Sequence, residues 1–431
     1  MSSKRRCEDS NNINVYKKTR MDGPSNVKTR VASCDNDNDR IFLEFPNSLV
    51  NALNIALDSF MDEKNWMGYI ALVPLKIINS NAADGHEGFP FSKAYCCTER
   101  YTTQYSFGSI FRKGLSMLIE FILHRTTPEN KQERFVLGKL LHYLFDRMDT
   151  DAEAMKNMET YMETELTAVI TNHLFGKLST STLFTIDKHC KGNSRGERNI
   201  KTNKPVCPCE KTDCELSGDF GDTSIGNWKV WHGNVDVMVN NEVVVASPDV
   251  EAESSSTEKS PVNVKLKSSS LTGNPQIIAQ NIVFSFLQKH RHPENDNFLC
   301  PCIGVTSKDI VVYLYDSIYD VLLESTIIPL HGMIASPNNN INLVAVLVSW
   351  LVVNYKYLCD GVMEEMKTMK ADFFQQAEAK LSIYEAQLKA GEVGNACFTV
   401  YTRDILKNLH HPSLVELKKR KRLIFMEPSE K

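Results

Sequence analysis

The run from Gly233 to Gln280 constrains the fold of this chain more than any other stretch. Gly233-Asn234-Val235-Asp236-Val237-Met238-Val239 alternates small or polar with apolar residues, a period of two that predicts a strand with Asp236 inside it. Val262-Asn263-Val264-Lys265-Leu266 repeats the pattern around Lys265 and predicts another strand. A helix is expected to open after Pro275, with Ile277, Ile278, Ile282, Val283 and Phe286 available to pack against a sheet. Its Gln276 and Gln280 are four apart and share one face.

With 431 residues the chain has room for two or three domains, and 42% hydrophobic residues supply a substantial core. Net charge is −4, so any basic surface must be local. Met1 to Arg20 is polar and basic with no apolar core segment, so no signal peptide is expected. The twelve cysteines then read as reduced thiols or metal ligands rather than a disulfide framework. The apolar run Leu343 to Val353 is bracketed by Asn342, Asn354 and Lys356. A membrane span needs roughly 20 apolar residues, so this shorter run predicts a buried core helix and no membrane partner.

Residues 1–39 carry few large apolar side chains and predict a disordered basic tail. Its clusters Lys4-Arg5-Arg6 and Lys17-Lys18-Thr19-Arg20 have the spacing of a bipartite nuclear import signal, the alternative being a solvated tail on a cytoplasmic protein. Lys418-Lys419-Arg420-Lys421-Arg422 adds a basic run near the other end. Residues 40–150 read as a helical N-terminal region, with a strand over Ile70 to Ile77 that Pro74 would confine to a sheet edge. Residues 151–330 hold the α/β core, starting with one helix over 152–178 that places Glu163 and Glu165 at its centre, then a strand over Leu183 to Ile186. A Cys-rich insertion, 188–227, and an acidic, Ser-rich loop, 247–260, interrupt this core. A hairpin is expected over Phe298 to Tyr315, and residues 331–431 form a helical C-terminal region. In that region Met366, Phe373, Ala377, Leu381, Tyr384 and Leu388 make a near-helical stripe, for packing on the chain itself or for self-association.

Helix with glutamate, strand, strand with aspartate, strand with lysine, helix with glutamine, then two strands: over residues 152–320 this order resembles the restriction-endonuclease-like, or PD-(D/E)XK, nuclease superfamily. The resemblance implies a central mixed β-sheet flanked by helices. It also implies metal-dependent hydrolysis of DNA or RNA with Mg²⁺ or Mn²⁺. Asp236 matches the metal-binding aspartate and Lys265 the lysine; Glu165, with Glu163 second, matches the helix carboxylate, and Gln280 or Gln276 the helix glutamine. Carboxylate oxygens hold Mg²⁺ and lower the pKa of a bound water, while an ammonium stabilises the pentavalent phosphorus. The chain departs from the pattern at Asn263, where the family has an acid two residues before the lysine. Two readings follow. Either another acid such as Glu163, Glu251 or Glu253 compensates and the protein is a nuclease, or the core has lost its metal and binds nucleic acid or a protein partner.

The Cys-rich insertion is a second candidate site. Cys190, Cys207, Cys209 and Cys214, with His189 as a spare ligand, would satisfy a tetrahedral Zn²⁺. Between positions 190 and 214 the bases Lys191, Arg195, Arg198, Lys201, Lys204 and Lys211 outnumber the acids Glu197, Glu210 and Asp213. Cys96-Cys97 is too isolated for a ligand set, and Cys300-Pro301-Cys302 lies on an expected strand, where a metal-free reading is natural. His232 reads as packed or hydrogen bonded rather than catalytic, and His410-His411-Pro412 as a turn.

Overall fold

The computed structural model describes residues 35–61, 69–189, 205–209, 211, 214–248, 270–332 and 341–393. The N-terminal strands are β1 (Ala71–Ser80), β2 (Cys96–Arg100) and β3 (Tyr105–Ser106). Next come β4 (Phe184–Asp187), β5 (Asp219–Gly221), β6 (Ser224–Gly226), β7 (His232–Asn234), β8 (Val237–Val239) and β9 (Val243–Ala246). The last are β10 (Leu299–Val305), β11 (Asp309–Asp316), β12 (Val321–Ser325), β13 (Ile328–Pro329) and β14 (Lys389–Ala390).

One large mixed sheet runs β2-β1-β12-β11-β10-β9-β8-β4-β5, with β3 on β1 and β13 on β11; β14-β6-β7 form a separate small sheet. The pairs β9/β10 and β4/β5 are parallel, and the other neighbours antiparallel. Side chains alternate between the two faces with a strict period of two. On β11, Ile310, Val312 and Leu314 enter one core, while Val311, Tyr313 and Tyr315 enter the other. The first face is covered by helices Asn47–Met61, Arg112–His124, Lys131–His142, Glu163–Ile170 and Leu343–Val353. Helix Pro275–Arg291 lies on the second face, with the aromatic cluster of Trp231, Phe286, Phe373 and Tyr384. The chain is therefore an α/β protein with a central mixed sheet flanked by helices.

The Phe298 to Tyr315 hairpin forms as β10 and β11 in full antiparallel register. Every residue of helix Leu343–Val353 is buried, and the Trp350 indole donates to Val136 O at 2.9 Å. Among the described residues, no helix is long and apolar enough to cross a membrane.

Several elements differ from expectation for local reasons. The expected tail and the N-terminal region meet within a helix, Asp35–Glu44. The N-terminal region is also not helical throughout, because β1 to β3 join the main sheet. Pro74 lies inside the sheet, between β12 and the β2/β3 side. Its carbonyl accepts from Tyr101 N–H at 3.0 Å, in the gap where the neighbouring strand changes from β3 to β2. In a strand the N–H and C=O of one residue point the same way, so the missing donor falls at that gap and costs no ladder bond. The helix over 152–178 is broken by extended Met162, which puts Glu163 and Glu165 in the first turn of Glu163–Ile170 instead of mid-helix. The 366–388 stripe comes from short turns, interrupted by Asp372 at φ +58°. Met366, Phe373, Ala377, Tyr384 and Leu388 are buried in the chain's own core, and Leu381 is partly buried against it.

Candidate metal centre

Helix Glu163–Ile170 runs directly into a π-helical turn, Thr171–Phe175. Such turns carry one extra residue and re-aim side chains. Here the turn presents His173 and Asn172 to the segment 205–216, which folds back on itself. Val206 bridges Glu215, Cys207 N–H donates to Cys214 O at 3.0 Å, and Leu216 N–H donates to Pro205 O at 2.9 Å. Asn172 fastens this knuckle to the helix, donating to Glu215 O at 3.1 Å and accepting from Ser217 N–H at 3.0 Å.

The ligand atoms of His173, Cys207, Cys209 and Cys214 lie within 4.8 Å of one another. His173 Nε2 is 3.4 Å from Cys207 Sγ and 3.6 Å from Cys214 Sγ. Four N/S ligands around one tetrahedral ion at Zn–S and Zn–N distances stand about 3.3 to 3.8 Å apart, so the group can hold a metal ion of that kind. His173, Cys207 and Cys209 are buried, and Cys214 is partly buried. Burial opposes a charged His173, but hydrogen bonds to Asp151, Cys209 and Cys214 outweigh it and carry its pKa up to about 10. Hydrogen bonds from Cys207 and Cys214 hold Cys209 on the thiolate side, while hydrogen bonds to Cys209 and Cys214, with burial, push Cys207 up. The fourth ligand of this group is thus His173, a residue assigned no metal role from sequence. Cys190 lies outside the described residues, and His189 is exposed and absent from the group. The sequence signal for His173 is weak, because it stands 34 residues before Cys207 and only the fold joins them.

The predicted catalytic residues are scattered. Asp236 directly precedes β8, its Oδ2 accepting from Ser247 N–H at 2.7 Å and its carbonyl from Asp187 N–H at 2.9 Å. Alternation places Asp236 with Met238 on the second face. Glu165 rides a helix packed on the first face, where its Oε2 accepts from Met162 N–H at 3.2 Å and caps that helix. Glu165 and Asp236 therefore face away from each other, and neither joins a group of three or more His, Cys, Asp or Glu ligands among the described residues. Gln280 is buried on helix Pro275–Arg291 and its Oε1 has no hydrogen-bond partner. Asn263, Lys265, Glu251 and Glu253 lie outside the described residues, as do both terminal basic runs and His410-His411.

Asp187 is the residue that sequence reasoning passed over. The β4/β8 register pairs Thr185 with Met238 and Ile186 with Val237, so Asp187 and Asp236 form the next pair. Directly opposed residues of an antiparallel pair share a face. Asp187 Oδ1 accepts from Asn234 Nδ2 at 2.6 Å and from His189 N–H at 3.0 Å. His232 is buried with Nδ1 2.8 Å from Val230 O, a packing role. Cys300 and Cys302 are buried on β10, where burial pushes the Cys300 thiol up to about 12. Comparison of the chain with protein-family models, with curated proteins and with solved structures returns no match.

Proposed function

We propose that this chain is a nuclease-like α/β protein that binds nucleic acid without hydrolysing it, and that a structural zinc ion on His173, Cys207, Cys209 and Cys214 fastens its basic insertion to the sheet. The observation that carries this reading is the ligand group itself. It ties the knuckle, within a stretch of six basic against three acidic residues, to the helix that precedes β4. Thiolates and imidazole suit Zn²⁺, and four protein ligands leave no open position for a reacting water. Basic side chains of the insertion would neutralise phosphates and release counterions.

The nuclease-like part rests on element order: helix, β4, β8 headed by Asp236, β9, helix Pro275–Arg291 with Gln280, then β10 and β11. That order follows the one in which the chain resembles the PD-(D/E)XK superfamily, and the expected lysine strand over Val262 to Leu266 lies outside the described residues. The strand paired with β8 on its inner side is Val243-Val244-Val245-Ala246, and Asn263 stands two residues before Lys265. Neither position offers the second carboxylate that Mg²⁺ chemistry of this type requires.

One observation favours the hydrolytic reading: Asp187 beside Asp236. That pair could bind Mg²⁺ or Mn²⁺ in place of the missing acid, with Lys265 stabilising charge and Gln280 orienting the substrate. The test is to incubate end-labelled single- and double-stranded DNA and RNA with the protein and Mg²⁺ or Mn²⁺. Asp236→Ala, Asp187→Ala and Lys265→Ala accompany the parent, and binding is titrated against salt in parallel. The expected result is no cleavage, with binding that weakens steeply as salt rises and drops when Lys201 and Lys204 are changed to Glu. Cleavage lost in Asp236→Ala would overturn the non-hydrolytic reading, and a parent that binds no nucleic acid would overturn the binding reading.

A further inference from the structure

Resting on the zinc reading above, we infer that Asp151 is the positioning residue of the metal centre: its carboxylate holds His173 Nδ1–H and so presents the Nε2 lone pair to the ion. Asp151 comes from a different helix, Met148–Ala154, and its Oδ1 stands 2.7 Å from His173 Nδ1. Both side chains are buried, at 9% and 6% exposure, so water does not compete for the bond. A neutral imidazole has one N–H and one lone pair, and only the tautomer protonated at Nδ1 can ligate through Nε2. A carboxylate on Nδ1 selects that tautomer and fixes the ring plane. The geometry agrees on the far side of the ring, where Nε2 faces Cys207 and Cys214.

Asp151 is not itself a ligand. Its oxygens lie outside the four-atom group, and its Oδ2 is buried with no hydrogen-bond partner. A buried carboxylate with an unsatisfied oxygen is costly. A metal on Nε2 draws electron density from the ring and makes Nδ1–H a stronger donor, so the Asp151 bond gains strength when the ion is bound. The same helix touches the knuckle a second time, through Lys211 Nζ donating to Thr150 O at 2.7 Å. Residues 150 and 151 thereby grip both the histidine and the cysteine loop.

The test is the full-length protein loaded with Zn²⁺, and separately with Co²⁺, for the parent, Asp151→Ala, Asp151→Asn and His173→Ala. Zinc affinity is read by competition with a chromogenic chelator, and the Co²⁺ visible spectrum reports whether the fourth ligand is imidazole. Asp151→Ala is expected to lose about ten- to a hundredfold in zinc affinity and to shift its Co²⁺ spectrum toward that of His173→Ala. Asp151→Asn, which keeps an acceptor oxygen without the charge, is expected to lose less and to retain the parent spectrum. Parent affinity and parent spectrum in Asp151→Ala would overturn the positioning role while leaving the zinc reading standing. If Asp151→Ala does not fold, Asp151→Asn decides: zinc affinity and Co²⁺ spectrum both equal to the parent's overturn the inference. A parent that takes up neither ion overturns the zinc reading and this inference with it.

Discussion

Glu324 illustrates how a single buried charge anchors the chain. Its side chain is 1% exposed, pairs with Arg100, and accepts from Tyr313 O–H at 2.7 Å and from Gly273 N–H. Gly273 adopts φ +64°, and the Tyr313 hydroxyl oxygen in turn accepts from Asn274 N–H, so the network fixes the entry to helix Pro275–Arg291. Glu324→Ala leaves a buried N–H without its acceptor and an arginine without its partner, and is expected to cost about 3 kcal/mol, read as a shift of the urea midpoint at unchanged slope. Asp222 gives a pH-dependent counterpart. Burial opposes its charge, but Lys188, the Ser224 hydroxyl and amide, and the Glu392 amide hold its carboxyl below the usual range. A depressed folded pKa stabilises fully above the unfolded value, near about 3.9, and the contribution fades as pH falls below it. The difference in thermal midpoint between parent and Asp222→Asn should therefore be constant near neutrality and shrink below about pH 4.

Among the elements, helix Pro275–Arg291 and the π turn position the two candidate sites. Asn274 caps the helix by accepting from Ile277 N–H at 3.2 Å and donates from Nδ2 to Ser270 O at 3.2 Å. Asn274→Ala should cost about 1 to 2 kcal/mol in chemical unfolding. Strands β1, β4, β10 and β11 and this helix were legible because short apolar runs and a capped apolar stripe are local signals, whereas the strand expected over Gly233 to Val239 divides into β7 and β8 in separate sheets. The π turn was not, because Thr171-Asn172-His173 looks like continuing helix until Asn172 finds Glu215 and Ser217. Removing those two bonds by Asn172→Leu is expected to lower zinc affinity several-fold without changing far-UV circular dichroism.

For the whole molecule, the main sheet crosses the boundaries that composition suggests. β12 pairs with β1 on one side and β11 on the other, and helix Leu343–Val353 covers the first face. A fragment spanning 151–330 would leave β12 as a bare edge and that face uncovered. Such a fragment is expected to lack cooperative thermal unfolding and to bind a hydrophobic dye. Stripping the metal from the intact chain should lower its thermal midpoint and open 205–216 to protease while leaving the sheet folded. On the proposed zinc reading the knuckle depends on the ion, whereas the sheet has its own two-faced core.

The amino-acid sequence by itself determined the α/β class, the hairpin Phe298 to Tyr315, the buried helix within Ile341 to Leu358 and the choice of Cys207, Cys209 and Cys214 as candidate metal ligands. Each is encoded by periodicity or chemistry within a few residues. Only the tertiary structure decided that Pro74 sits inside the sheet, that Glu165 and Asp236 occupy opposite faces, that Asp187 stands beside Asp236, and that His173 and Asp151 complete the cysteine knuckle. Those pairings join residues tens to hundreds of positions apart. What selects them is the burial of two sheet faces at once, which no local pattern records.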